Sequence, residues 1–242
     1  MAEMRELHGY DCALMRCKGM RLVLVWTLIA GCLLFNDMWP AVGKADSQTC
    51  PPICDQIPDA AWTPSSEIPL SATYHWPPLA GSAVPTTGGP TPRFRFEEVC
   101  ATPAFPHDTR DSAVSARVGV DKPRGQWQLR AEVVHWRGET GRGGQSAMSV
   151  FDIAAAALRG CQLGAAAESP SITVDEPNRL SAVVSGPTIL HTYLVAHPEN
   201  SSISELTLWA SDPPQLPWPI ISDAQVLDAM SSSICTAYVG SC

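Results

Sequence analysis

Between residues 138 and 146 the chain reads Gly-Glu-Thr-Gly-Arg-Gly-Gly-Gln-Ser, a glycine-rich run between a strand pattern and a helix pattern. A phosphate-binding loop would sit at such a position, but it needs a lysine after its second spaced glycine to reach the terminal phosphates. Here Gly144 and Gln145 occupy that region. The run reads as a flexible loop, with anion capture at the next helix N-terminus, aided by Arg142, as the second reading. Five histidines follow residue 45: His75, His107, His135, His191 and His197. They form no H-E-x-x-H pair. His135 and His191 fall on strand patterns, which favours half-buried or surface imidazoles over a base or a metal ligand. Ser185 precedes Gly186 without the G-x-S-x-G elbow, and no spacing singles out a serine triad. The sequence therefore offers no catalytic residue, no cofactor-binding residue or cofactor, and no metal ligand.

The cysteines point to oxidation rather than metal. Cys12, Cys17 and Cys32 precede residue 45, and six follow it: Cys50, Cys54, Cys100, Cys161, Cys235 and Cys242. An even number suits disulfides, and neither C-x3-C at 50–54 nor C-x6-C at 235–242 is joined by histidines at finger spacing. Six cysteines allow 15 pairings. The preferred ones join Cys100 with Cys161, and Cys235 with Cys242 or either of these with the 50–54 segment.

An export signal explains that chemistry. Arg16, Lys18 and Arg21 precede the apolar run from Leu22 to Phe35, which is too short for a spanning helix, and Gly43 and Ala45 stand at small-x-small positions. Two other readings share the segment: a lipobox, Ile29-Ala30-Gly31-Cys32, with Cys32 lipidated, and an uncleaved anchor. Met20 is an alternative start. All of these place the remaining chain outside the cytoplasm, in the secreted or cell-envelope space. Beyond residue 45 there are 11 basic and 20 acidic residues, a net charge of −9, so phosphate backbones and anionic membrane surfaces are poor partners. Membrane attachment is expected only through an uncleaved signal or a lipid.

The elements follow from composition and period. Residues 46–106 form a proline-rich, cysteine-stapled arm. Twelve prolines between 51 and 106 exclude a long helix or a central strand, and Trp62, Tyr74 and Trp76 are its apolar anchors. Residues 107–242 form the main domain. Phe94 and Phe96 alternate with charged residues as a short strand. The clearest strand, 126–136, puts Trp127, Leu129, Ala131, Val133 and His135 on one face and polar residues on the other, the pattern of a half-buried antiparallel strand. The segment 113–120 pairs with it across the turn at 121–125. An amphipathic helix is expected over 146–159, strands over 179–185, 188–196 and 203–210, and a last helix over 223–237 with Ser222 and Gln225 at capping-box spacing. The fold class is α+β: an antiparallel sheet packed against two helices, with a proline-rich N-terminal arm. Trp136, Trp209 and Trp218, with the prolines of 212–219, are candidates to line a groove for a lipid, sugar or peptide, and core packing is their competing role.

The strand ending at His135 and Trp136, the helix Val150-Phe-Asp-Ile-Ala-Ala-Ala-Ala-Leu-Arg-Gly-Cys161, the strands containing 190–196 and 206–209, and the closing helix 224–230 near a cysteine resemble the exported sensor domains of mycobacterial receptor kinases of the PknH type. The Cys50 to Cys54 segment is similar to the C-P-P-I-C-type start of uncharacterised mycobacterial secreted proteins. The resemblance covers about residues 110–240. It implies a non-enzymatic, disulfide-bonded domain with a cleft for an envelope ligand or protein. A secreted hydrolase without a recognisable motif is the alternative.

Overall fold

The computed structural model describes residues 54–86 and 92–242. The expected export segment, with Cys32 and Met20, and also Cys50, lie outside the described residues. Seven strands form one antiparallel sheet: β1 (Val84–Pro85), β2 (Val114–Val120), β3 (Gln128–His135), β4 (Ser169–Glu176), β5 (Arg179–Ser185), β6 (Thr188–His197) and β7 (Ser202–Ser211), in the order β1-β2-β3-β7-β6-β5-β4. The chain builds this order from both ends. It runs β1 to β3 from one edge, leaves through a helix, re-enters at the far edge, and walks inward by hairpins until β7 closes against β3. The helices are α1 (Ser71–Tyr74), α2 (Arg95–Val99), α3 (Thr140–Arg159), α4 (Cys161–Gly164) and α5 (Asp223–Ala237).

Period-two alternation sends each strand's apolar residues to two separate cores. Leu129, Ala131 and Val133 of β3 join Leu206, Leu208 and Ala210 of β7 beneath α5 and the arm. On the opposite face Val134, Leu190, Leu194 and Ile203 meet the stripe Val150, Phe151, Ala154 and Leu158 of α3. α5 keeps the expected bounds, and the Ser222 N–H donates to Gln225 Oε1 at 3.4 Å. The expected α+β class with an antiparallel sheet is present, and several helices pack against the sheet.

Four local expectations change. β3 is buried on both faces, not half-buried: Arg130 and Glu132 of its polar side are covered and ion-paired. Phe94 and Phe96 belong to no strand. Phe94 caps α2, its N–H donating to Glu97 Oε2 at 2.7 Å, while the Arg95 N–H reaches Glu205 Oε2 at 2.9 Å. A carboxylate at the start of a helix takes up N–H groups that would otherwise lack partners, and this outweighs the alternation. The glycine-rich run is no flexible loop, because α3 begins at Thr140. Its glycines permit close approach: a Cβ on Gly144 would stand 2.4 Å from the Pro198 carbonyl oxygen, and one on Gly143 would stand 2.4 Å from Ser201 Oγ. The fourth change is β4, an additional edge strand on which Pro170, Ile172 and Val174 alternate with exposed residues.

The arm is part of the first core. Trp62, Ile68, Trp76 and Leu79 are buried there, and the Trp76 indole N–H donates to the Pro69 carbonyl at 2.8 Å. Tyr74 stacks on Trp76 and its hydroxyl accepts the Trp127 N–H. Backbone donors missing at prolines are replaced by such side-chain contacts and by short 3-10 turns. Cys100 is bonded to Cys161 and Cys235 to Cys242, and Cys54 is also in a disulfide. These bonds suit an oxidising, extracytoplasmic environment. Among the described residues no helix is long and apolar enough to cross a membrane.

Two stability measurements follow. Gly144→Ala should lower the urea midpoint by the equivalent of about 1–3 kcal/mol, because the obstructing atom is backbone, whereas Gly81→Ala, with nothing within 4 Å, should leave it close to wild type. Replacing both Cys100 and Cys161 by Ala, which opens a link of sequence separation 61, should cost about 4 kcal/mol by the chain-entropy relation. A loss below about 1 kcal/mol would show that the unfolded chain is already constrained there.

Candidate functional site

β3 and β7 pair His135 with Ser202, and β6 pairs His197 with the same serine from the other side. His135 Nδ1 and Ser202 Oγ are 3.0 Å apart, a nucleophile-base distance. Neither side chain can meet a substrate: both are fully buried, and the Tyr238 ring stacks on His135 with centroids 4.4 Å apart. His191 is stacked on Trp218 at 3.6 Å, and burial lowers its pKa to about 4, so it is neutral at physiological pH. His75 and His107 are exposed at left-handed backbone positions. Among the described residues no group of three His, Cys, Asp or Glu is placed to hold a metal ion.

The three tryptophans expected to share a groove are not brought together. Trp136 is buried in the α3-side core and its indole N–H donates to the Thr109 carbonyl. Trp209 lies under the Arg95 guanidinium on that same side. Trp218 packs against Trp127 and His191 on the opposite face.

Charged residues gather instead beneath α2, where they act as structure. The Arg110 guanidinium, buried, donates to both oxygens of Glu97 and both of Asp108, and these carboxylates hold its pKa above the ordinary arginine value against the effect of burial. Beside it Arg130 pairs with Glu98 and Glu132, Arg117 pairs with Glu132, and both arginines donate to the Arg93 carbonyl. Glu132 faces Glu205 directly across β3 and β7. Burial raises the pKa of both carboxyls, that of Glu205 to about 7, while Arg130 and the Arg95 N–H oppose the shift at Glu205.

Of the concave places among the described residues, three have room for more than a water molecule or two. A shallow groove of about 410 Å³ runs along the start of α3 where Gly141 and Gly144 lack side chains, with Met148 and Pro198 as apolar walls. A smaller cavity of about 110 Å³ lies between Phe105 and Ile153 beside the Arg110 cluster. The third, about 180 Å³, lies between the arm and the edge of the sheet, and it alone of the three is lined by two carboxylates and an indole.

The arm builds this third cleft in two passes. The turn carrying Asp55, Ile57, Asp59 and Trp62 makes one wall, the segment from Ala80 to Pro85 makes another, and the start of β2 makes the floor. β1 pins the second pass by pairing with β2, and Thr86 follows, its N–H donating to the Ser115 carbonyl and its hydroxyl lying 2.6 Å from Ser115 Oγ. Cys54, at the start of the first pass, is in a disulfide. Trp62 is 6% exposed, yet among the described residues no acceptor takes its indole N–H, and that nitrogen is not sealed from solvent. The Asp59 carboxylate likewise has no partner among the described residues, whereas Asp55 pairs with Arg137 at the surface. Trp62 and Asp59 thus line one space with apolar walls, and neither side chain is engaged by another described residue. That combination can orient a small ligand but contains no nucleophile-base pair.

Sequence reasoning identified Trp62 as an anchor and missed its second role, since an indole that packs and one that packs while offering its N–H share one sequence pattern. The chain matches no protein-family model, no curated protein and no solved structure.

The buried Glu205 and His191 shift stability with pH in opposite senses. Glu205 holds its proton to about pH 7 in the folded state against about 4.5 unfolded, so its contribution is present below pH 4.5 and is lost as pH rises through 7. His191 resists protonation down to about pH 4 against 6.5 unfolded, so its contribution is lost as pH falls from 6.5 to 4. Glu205→Gln should therefore gain on wild type as pH rises from 4.5 to 7, and His191→Phe should gain on it as pH falls from 6.5 to 4. Urea midpoints across that range test both. Parallel curves for a variant and wild type would mean that the group titrates alike folded and unfolded.

Proposed function

We propose that this chain is an extracytoplasmic, non-enzymatic binding domain of the bacterial cell envelope. The observation that carries the reading is the arm-sheet cleft, lined by Trp62 and Asp59, whose side chains have no partner among the described residues, with one wall pinned by the pairing of β1 with β2. A concave, mostly apolar surface carrying a few polar groups is what a ligand site requires. The resemblance of residues 110–240 to exported sensor domains supports the same reading, as does the acidic, disulfide-bonded composition. The hydrolase alternative loses its best-placed groups, because Ser202 and His135 are sealed beneath Tyr238.

Protein recovered from its own host envelope should show a reproducible extra mass in the native mass spectrum that disappears on denaturation, and a serine-reactive phosphonate should leave the folded chain unlabelled. A labelled serine would overturn the non-enzymatic reading. A bare chain at every preparation would count against ligand capture.

A further inference from the structure

The groups lining the arm-sheet cleft define the chemistry of an occupant. Asp59, an exposed lining residue, offers a solvated negative charge that favours a cation or a strong donor. Trp62 offers one N–H and calls for an acceptor on the same molecule. Ile57, Ala80, Ala83 and Pro85 offer apolar surface, which suits C–H groups rather than a second charge. An alkylammonium satisfies the carboxylate and leaves the indole unpaired. A metal ion needs several converging oxygens, and among the described residues no such set exists. Sugar acids would meet Asp59 with like charge, Asp55 being already paired with Arg137, and a neutral sugar would make no charge-assisted contact with Asp59. A ring carrying hydroxyl groups and one ammonium meets each demand.

We propose that the cleft between the arm and β2 is a subsite for one amino-sugar ring, its ammonium on Asp59, a hydroxyl or ring oxygen accepting the Trp62 indole N–H, and its C–H face against Pro85 and Ala83. The assignment rests on the binding-domain reading above and names its ligand class. The volume of about 180 Å³ admits a single ring rather than a stretch of polymer, so a glycan would enter by its end. A free hexosamine and the terminal residue of an envelope glycan present the same ring, and a tetramer of β-linked glucosamine separates them: it binds if the cleft accepts a chain end and fails if only the free sugar fits.

The test follows the Trp62 indole N–H resonance in nitrogen-15-labelled protein, assigned by its loss in Trp62→Phe. Glucosamine should shift that resonance saturably, glucose should bind about three- to fivefold more weakly, the range for one exposed charge contact, and glucuronate should not bind. Asp59→Asn, an exposed position that leaves the fold intact, should bring glucosamine down to the affinity of glucose. Trp62→Phe, followed instead on the backbone amide resonance of Asp59, should weaken glucosamine by about two- to tenfold, the range for one hydrogen bond. An indole resonance that does not move with glucosamine, or one that moves equally with glucuronate, overturns the proposal. If that happens while envelope protein still carries a bound mass, the binding-domain reading stands and this site assignment falls; if no bound mass exists either, both fall.

Discussion

Arg130 and Glu132 point inward from a strand near the middle of the sheet, and the fold around them is organised by the need to satisfy them. Two buried charges are costly unless each lone pair and proton finds a partner. The segment from Arg93 to Cys100 supplies part of this: the Arg93 carbonyl takes both Arg117 and Arg130, Glu98 takes Arg130, and Glu205 caps the start of α2, while Glu132 is held by Arg117 and Arg130, and Arg130 Nε and Glu132 Oε1 find no partner among the described residues. α2 is only five residues long and would not persist alone. It exists because the sheet needs a polar cover there, and the bond from Cys100 to Cys161 ties that cover to the far end of α3. One face of the sheet is thus half sealed by ion pairs and half by an apolar helix.

The opposite face is sealed differently, and the candidate site follows from the difference. α5 covers part of it and the arm covers the rest. An arm rich in proline cannot fill its share with a helix, so it crosses in short turns anchored by Trp62, Trp76 and Leu79. Short turns that cross an edge leave space between them. The cleft is that space, and its rigidity comes from the same pins that hold the arm.

The strand pairing of 113–120 with 126–136, the strands over 179–185, 188–196 and 203–210, the last helix and the body of α3 were legible, because alternation and a 3.6-residue period are local signals. What failed was set at a distance. Phe94 and Phe96 alternate like a strand, but Glu205, more than a hundred residues away, holds their backbone as a helix start. Gly143 and Gly144 look like a flexible loop until Pro198 and Ser201 are seen against them. The polar face of β3 looked solvated because its partners lie on another element. For the site, the sequence marked Trp136, Trp209 and Trp218 by strand-face alternation and the prolines of 212–219, and only the folded arm showed Trp62 beside a cleft without a partner for its N–H among the described residues.

The two edges of the sheet also bear on how the protein behaves among its own copies. β1 has two residues and ends in Pro85, and β4 carries Pro170 near one end and Asp175 with Glu176 at the other, with a register break between Ile172 and Val174. Short length, proline, charge and a bulge are the devices that keep a strand edge from templating another. Although the sheet has seven strands, its described edges are built to stop growing, so that one copy offers another little to pair with.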